Sequence, residues 1–264
     1  MHDAIFLSNL TIEADGQTLV HDVGLSLVAG QRLALLGPSG TGKSLTAKAM
    51  LDLVNCNPGV TTRKMRVVCD GQEWEPHPDH ANPKYRNSYL RGNVLVYLPQ
   101  NGRRSLDPMR TVGWQITTAL NLNPSPTSQS VIHWLQRAGL DDPEVAGLYP
   151  HQLSGGMARR VTIAQALARG CRFLLLDEPT SGVEAQGRIA LMSEFGRIAD
   201  EGIGILLISH DLPTTLDWAT DTLLMDQGKI VETLRPDQWR CGDVHSEIGR
   251  SFYQALQEMN GGDL

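Results

Sequence analysis

Among its 264 residues the sequence has no apolar run near the 18 or so needed to cross a bilayer, so a membrane-spanning chain is not expected. The start Met1-His2-Asp3 lacks the basic-then-apolar layout of a secretory leader, and a cytosolic protein is expected. There are four cysteines, Cys56, Cys69, Cys171 and Cys241, with no CxxC pair and no zinc-ligand spacing. That excludes a disulfide framework and a structural zinc site in favour of reduced thiols. Nor is there an excess of positive charge. A net charge of -6 and a pI near 5.7 argue against a surface built for nucleic acid, whose phosphates are held by surplus Lys and Arg. No internal repeat, heptad array or long low-complexity segment is present.

What the chain does have is enough apolar residue, 41%, to bury a sizeable core. Short apolar runs at Arg32–Gly37, Val94–Leu98, Arg172–Asp177 and Gly204–Ser209 have the length and two-sided apolarity of buried parallel strands. Between them Lys43–Val54 and Gly156–Ala168 carry helical spacing, the second through Met157, Val161, Ala164 and Ala168. The alternation predicts an α/β fold with a parallel sheet covered by helices. Trp74–Asn93, with Pro76, Pro78 and Pro83, reads as a surface excursion, Asn121–Ser130 as an exposed loop, and the stretch from there to Ser154 as helical. One helix is expected around Ser246–Met259.

The most specific pattern is Gly37-Pro38-Ser39-Gly40-Thr41-Gly42-Lys43-Ser44, a complete G-x-x-x-x-G-K-[ST] between a strand and a helix. Chance would supply one in a chain of this length on the order of 1% of the time. Glycines let backbone N–H groups approach phosphates, the helix N-terminus favours anions, Lys43 reaches the β/γ-phosphates and the Ser44 hydroxyl ligates Mg²⁺. The apolar Phe173–Leu176 ends in Asp177, placed for the Mg²⁺ shell, and Glu178, which can take a proton from a water attacking the γ-phosphate. The alternative there is an acidic strand end facing solvent. His210 directly follows the strand Ile205–Ile208, where ligands bind in open α/β sheets, and a neutral imidazole there can contact the γ-phosphate or the water. Gln100, after Val94–Leu98, is either an amide that reaches Mg²⁺ or water, or an ordinary loop glutamine.

The stretch Leu153-Ser154-Gly155-Gly156-Met157 offers a hydroxyl, backbone N–H groups and little bulk, which suits close approach to a phosphate. Ser154 is placed as N-cap of the following helix, so its hydroxyl, the Gly155 and Gly156 N–H groups and the helix dipole face one anion. Together "GPSGTGKS", "YLPQ", "LSGGM", "LLLDEPTSG" and "LLISHD" occur in the order and spacing of the ATP-binding subunit of ABC transporters, and the resemblance covers Ile5 to Glu232. It implies a P-loop NTPase core of the RecA type, residues 1–99 and 170–233, with helices on both faces of the sheet. It further implies an inserted helical subdomain, 100–169, and a C-terminal tail, 234–264. It also implies ATP and Mg²⁺ as cofactors and two subunits head to tail, with Ser154, Gly155 and Gly156 binding the ATP held by the other subunit's P-loop.

"LPQNGRRSLDPMRTV" and "LYPHQLSGGMARRVTIAQALA" resemble the peptide/nickel importer ATPases. The chain stops at Leu264 without the cysteine-rich extension of many peptide members, so its size resembles the nickel or metal-chelate branch. That branch implies a second, non-identical ATPase subunit, two membrane-spanning permease subunits and, indirectly, a substrate-binding protein. The place implied is the cytoplasmic face of the cell membrane, with no nucleic-acid partner. Two positions depart from the family pattern. Glu184 stands where the family has the aspartate that touches the opposing subunit, and Glu13–Gln17 lacks the aromatic that stacks on adenine. His77, Asp79 and His80 offer a nickel-ligand reading, against which a Pro-rich loop is normally just solvated. A P-loop kinase would have no use for "LSGGM", Glu178 and His210 together. A DNA-repair or translation ATPase of the same type usually carries a coiled coil or tandem cassettes, and neither is present.

Overall fold

Neighbouring side chains of the central strands point alternately into two different cores. In β3 (Arg32–Leu36), β7 (Phe173–Asp177) and β8 (Gly204–Ser209), Leu33, Leu35, Phe173, Leu175, Leu206 and Ile208 belong to one, and Ala34, Leu36, Leu174, Leu176, Ile205 and Leu207 to the other. A strand's side-chain period of two requires this when both faces are covered, which is why these runs read as continuously apolar. The computed structural model describes residues 3–54, 59–75, 90–100, 102–120 and 129–259.

With β6 (Leu95–Leu98), β9 (Asp221–Asp226) and β10 (Lys229–Leu234), the three strands form a six-stranded sheet of order β10-β9-β3-β8-β7-β6. All pairs are parallel except β9–β10. One face is covered by α4 (Gly155–Ala168) and α5 (Ala185–Asp200), with α2 (Val112–Ala119) and α3 (Gln129–Arg137) packed beyond. The other face carries α1 (Lys43–Met50) and a four-stranded antiparallel sheet of order β2-β1-β4-β5. That sheet comprises β1 (Ala4–Ala14), β2 (Gln17–Val28), β4 (Gly59–Cys69) and β5 (Gln72–Trp74). The sequence reading did not separate this layer. Asp15 and Gly16, at φ 50° and 75°, join β1 to β2 in the left-handed conformation that tight hairpins favour.

Several expected boundaries move. The helix expected at Lys43–Val54 ends at Met50, because Asp52 turns left-handed (φ 53°) and Leu53 N–H returns to the Lys48 carbonyl at 2.9 Å. The Asp52 carboxylate then pairs with Arg63 of β4, both side chains almost fully buried. Val94 closes a π-helical turn, Leu90–Val94, so the excursion expected over Trp74–Asn93 is bounded by Trp74 at the end of β5 and by buried Leu90 and Val94. Residues 76–89 lie outside the described residues. Gln129 and Ser130 open α3 rather than ending a loop, and 121–128 are outside the described residues. The helix expected at Gly156–Ala168 begins one residue earlier.

The segment after residue 233, expected as a tail with one helix, contains α7 (Pro236–Cys241) as well as α8 (Glu247–Met259). It is packed in the main core. Trp239 is fully buried and its indole N–H donates to Thr222 Oγ1 at 2.8 Å. The six residues of α7 are too few to show a helical period in the sequence.

Between α4 and α5, Glu194 is buried with Arg160 Nε 3.3 Å from its Oε2 and no partner on Oε1. Burial outweighs the Arg160 charge and pushes its carboxyl up to about 7 from 4.5. The folded state therefore binds this proton more tightly than the unfolded chain. The stabilisation is complete below pH 4.5 and is lost as pH rises towards 7. Denaturant titrations should show stability falling by up to about 3 kcal/mol across that window, and Glu194→Gln, which has no proton to lose, should flatten this part of the profile.

Candidate functional site

Every functional side chain singled out along the core follows the C-terminal end of a parallel strand, the edge where open α/β sheets bind ligands. The loop Gly37–Gly42 leaves β3 and enters α1. Gly37 has φ 152°, and a Cβ there would lie 2.1 Å from the Met225 carbonyl oxygen, so no other residue fits. Lys43 Nζ folds back onto the Gly37 and Pro38 carbonyls at 2.8 and 2.6 Å, and Thr41 Oγ1 also donates to Pro38 O, at 3.0 Å. Burial lowers the Lys43 ammonium below its usual range, opposed by the charges of Glu178 and Asp177. Beside it lies a cleft of about 300 Å³ lined by Ser39, Gly40, Gly42, Lys43, Ser44, Leu45 and Glu178.

Asp177 ends β7 and is bonded to Ser44, which lines the cleft. Its Oδ1 accepts from Ser44 Oγ at 2.9 Å and its Oδ2 from the Tyr97 hydroxyl at 2.5 Å. Burial first, then the bond to Asp177, raises the Tyr97 phenol well above its usual range, so it stays a donor. Tyr97 escaped the sequence reading although "YLPQ" contains it; the signal was its place on the strand paired with β7, with Tyr97 opposite Leu175.

Glu178 has φ 48°, a conformation that costs a non-glycine residue energy and persists only when its surroundings over-determine it. Its N–H donates to Ile208 O at 2.9 Å, and its Oε1 lies 2.9 Å from His210 Nδ1. Its Oε2 is buried with no partner. A buried carboxylate oxygen without a donor costs on the order of 1–3 kcal/mol, and Glu178 is one of the residues that line the cleft.

The structure brings Lys43, Ser44, Asp177, Glu178 and His210 together. Gln100 stands apart, its amide nitrogen donating to Ser181 Oγ at 2.8 Å. The Leu153–Met157 stretch is also outside the cleft. Ser154 caps α4, accepting from Met157 N–H at 3.1 Å, and Gly155 and Gly156 are exposed, with nothing within 4 Å of a Cβ built at either. Two arginines that the sequence does not single out anchor the surroundings, one of them on this stretch. Arg103 donates to Leu153 O, and Arg159 reaches Ser181 O at 3.5 Å. Glu184 caps no N–H group of α5, and β1–β2 turns at Asp15-Gly16 with no aromatic between Glu13 and Gln17. His77, Asp79 and His80 lie outside the described residues.

Ser44 and Asp177 present oxygen donors of the kind a hard divalent cation such as Mg²⁺ takes. The loop N–H groups and Lys43 suit polyphosphate. If Lys43 exchanges its two carbonyl partners for phosphate oxygens, Lys43→Ala should weaken ATP binding by about 10- to 100-fold, measured by equilibrium dialysis of the isolated chain.

The family model described as "ABC transporter" matches residues 20–181. "Nickel import ATP-binding protein NikD" of Rhodospirillum rubrum is 34% identical over 88% of this chain and 87% of its own length. The protein of the same name from Pseudomonas putida is 35% identical over 86% of this chain and 85% of its own. "Peptidoglycan transport ATP-binding protein YejF" of Agrobacterium fabrum is 33% identical over 81% of this chain but only 39% of its own. Among solved structures, a dimeric ATP-binding cassette in a post-hydrolysis state with ADP and Pi superposes with a TM-score of 0.70 at 20% identity, covering 88% of this chain and 98% of that one. A bacterial Atm1-family ABC exporter with ATP bound gives 0.74 at 22%, covering 97% and 42%.

Proposed function

The chain belongs to the ABC transporter family as an ATP-hydrolysing subunit, and from that premise we propose that it powers an importer of nickel or a metal chelate. The observation that carries the hydrolytic reading is Glu178: a strained residue with one carboxylate oxygen oriented by His210 and the other buried without a donor beside the P-loop. In the proposed roles Lys43 and the loop N–H groups bind the ATP phosphates, Glu178 takes the proton of the attacking water, and His210 holds Glu178 and the γ-phosphate in register. Ser44 and Asp177 would hold Mg²⁺, with Gln100 joining them if its amide left Ser181, and the ion would supply neutralisation of phosphate charge. Tyr97 fixes Asp177.

Ser154, Gly155 and Gly156 serve the second site. They are exposed and do not line this chain's own cleft, and as a helix N-terminus they suit an anion carried by another subunit. The partner is therefore a second ATPase subunit, non-identical in the nickel branch, working beneath two membrane-spanning permease subunits on the cytoplasmic face. No helix among the described residues is long and apolar enough to cross a membrane. The core segments 1–99 and 170–233 and the helical insertion 100–169 are proposed as working units.

The cargo rests on the NikD relatives, which share most of their length with this chain. A second reading, uptake of di- or oligopeptides or peptidoglycan fragments, rests on the YejF relative. Radioactive nickel uptake, with and without a small chelator, and dipeptide uptake in a strain lacking the chain separate the two. Loss of energy-dependent nickel accumulation is expected; unchanged nickel uptake beside lost peptide uptake would transfer the assignment.

A further inference from the structure

One groove shares no lining residue with the nucleotide cleft. It lies between α5 and α6 (Leu212–Leu216) and has a volume of about 620 Å³. One side is apolar, with Ile189 70% exposed above buried Met192. At its floor Trp218 is only 6% exposed, yet its indole N–H is buried without an acceptor. Arg32 Nε is in the same state, although the far end of that guanidinium is committed to Asp200. Two adjacent buried donors left unpaired are uncommon in a native chain, where nearly all such groups find partners.

Beside both side chains stands Gly196, inside α5. A Cβ built there meets Arg32 Nη1 at 3.7 Å and Trp218 Nε1 at 3.9 Å, which is ordinary contact, and its φ is not left-handed. Glycine is the poorest helix-interior residue after proline, so nothing in the fold asks for it here. What glycine leaves free is a methyl-sized space in contact with the Trp218 indole N–H and the Arg32 guanidinium. The charges around the groove balance, Arg32 and Arg197 against Asp200 and Asp217, so its selectivity lies in those donors rather than in net charge.

We propose that this groove is a second ligand site, taking a small amphipathic molecule whose carbonyl or carboxylate oxygen accepts from Trp218 and Arg32 at Gly196 while its apolar part covers Ile189 and Met192. The probes are octanoate and octanamide, which carry the acceptor, and octylamine, which has the same chain and none. They are titrated into the full chain while the indole N–H resonance of Trp218, assigned with Trp218→Phe, is followed by NMR. A saturable shift with octanoate or octanamide, absent with octylamine, is expected. Octanoate alone would identify the head as carboxylate, and both would mean any carbonyl oxygen serves. Gly196→Ala should fold with unchanged or higher thermal stability and bind at least about tenfold more weakly, since its methyl group takes the space beside the Trp218 indole N–H and the Arg32 guanidinium. No saturable shift with either acceptor probe, an equal shift with octylamine, or undiminished binding in folded Gly196→Ala would overturn the proposal.

Discussion

Glu178→Gln should leave ATP binding nearly intact and cut steady-state turnover by at least about 100-fold, the usual loss when a general base is removed. The amide keeps the size of the carboxylate and can still meet His210 Nδ1, so the geometry around Ser209 and His210 is retained while the proton acceptor is lost. Retention of the left-handed backbone at residue 178 is expected too, since the Glu178 N–H bond to Ile208 O does not involve the side chain. Phosphate release and nucleotide binding measured on the same preparation distinguish lost chemistry from lost binding. Turnover at the parental rate would remove Glu178 from the reaction.

Ser154→Arg should have an effect of similar size by a different route. Ser154 is exposed at the end of α4 and touches nothing in the P-loop cleft of its own chain, so ATP binding by the isolated subunit should stay unchanged. In the assembled pair the arginine's bulk would stand where a phosphate must approach the Gly155 and Gly156 N–H groups, and the ATP-closed state should not form. Size-exclusion chromatography of the subunit pair with ATP, on a background that cannot hydrolyse it, reads this directly. Loss of nucleotide binding in the isolated variant would contradict action across the interface. Losing only the N-cap would cost about 1 kcal/mol of helix stability and would not separate the two measurements.

Those two positions were legible in the sequence because their chemistry is local. A P-loop is a run of eight residues, Asp177-Glu178 closes an apolar strand, and Ser154 precedes two glycines and a helical period. The parallel strands were legible for the same reason, since covering both faces leaves a continuous apolar run. What stayed hidden depends on residues distant in the chain. Tyr97 reaches Asp177 across 80 positions, Gln100 meets Ser181 across 81, and Arg103 meets Leu153 across 50. The end of α1 depended on the buried Asp52–Arg63 pair, and the antiparallel layer on pairing between β1 and β4, neither of which leaves a periodic signature.

Hydrolysis of ATP with water as the only acceptor is the most direct test of the site as assigned. The chain, with its membrane partners where the isolated subunit is slow, is incubated with Mg²⁺ and ATP labelled at the γ-phosphate, and the label is followed. A P-loop hydrolase with Glu178 as base predicts that the label appears as inorganic phosphate, that chelating Mg²⁺ abolishes release, and that Glu178→Gln retains bound, uncleaved ATP. Label transferred to a protein or small-molecule acceptor, or release that survives in Glu178→Gln, would contradict it.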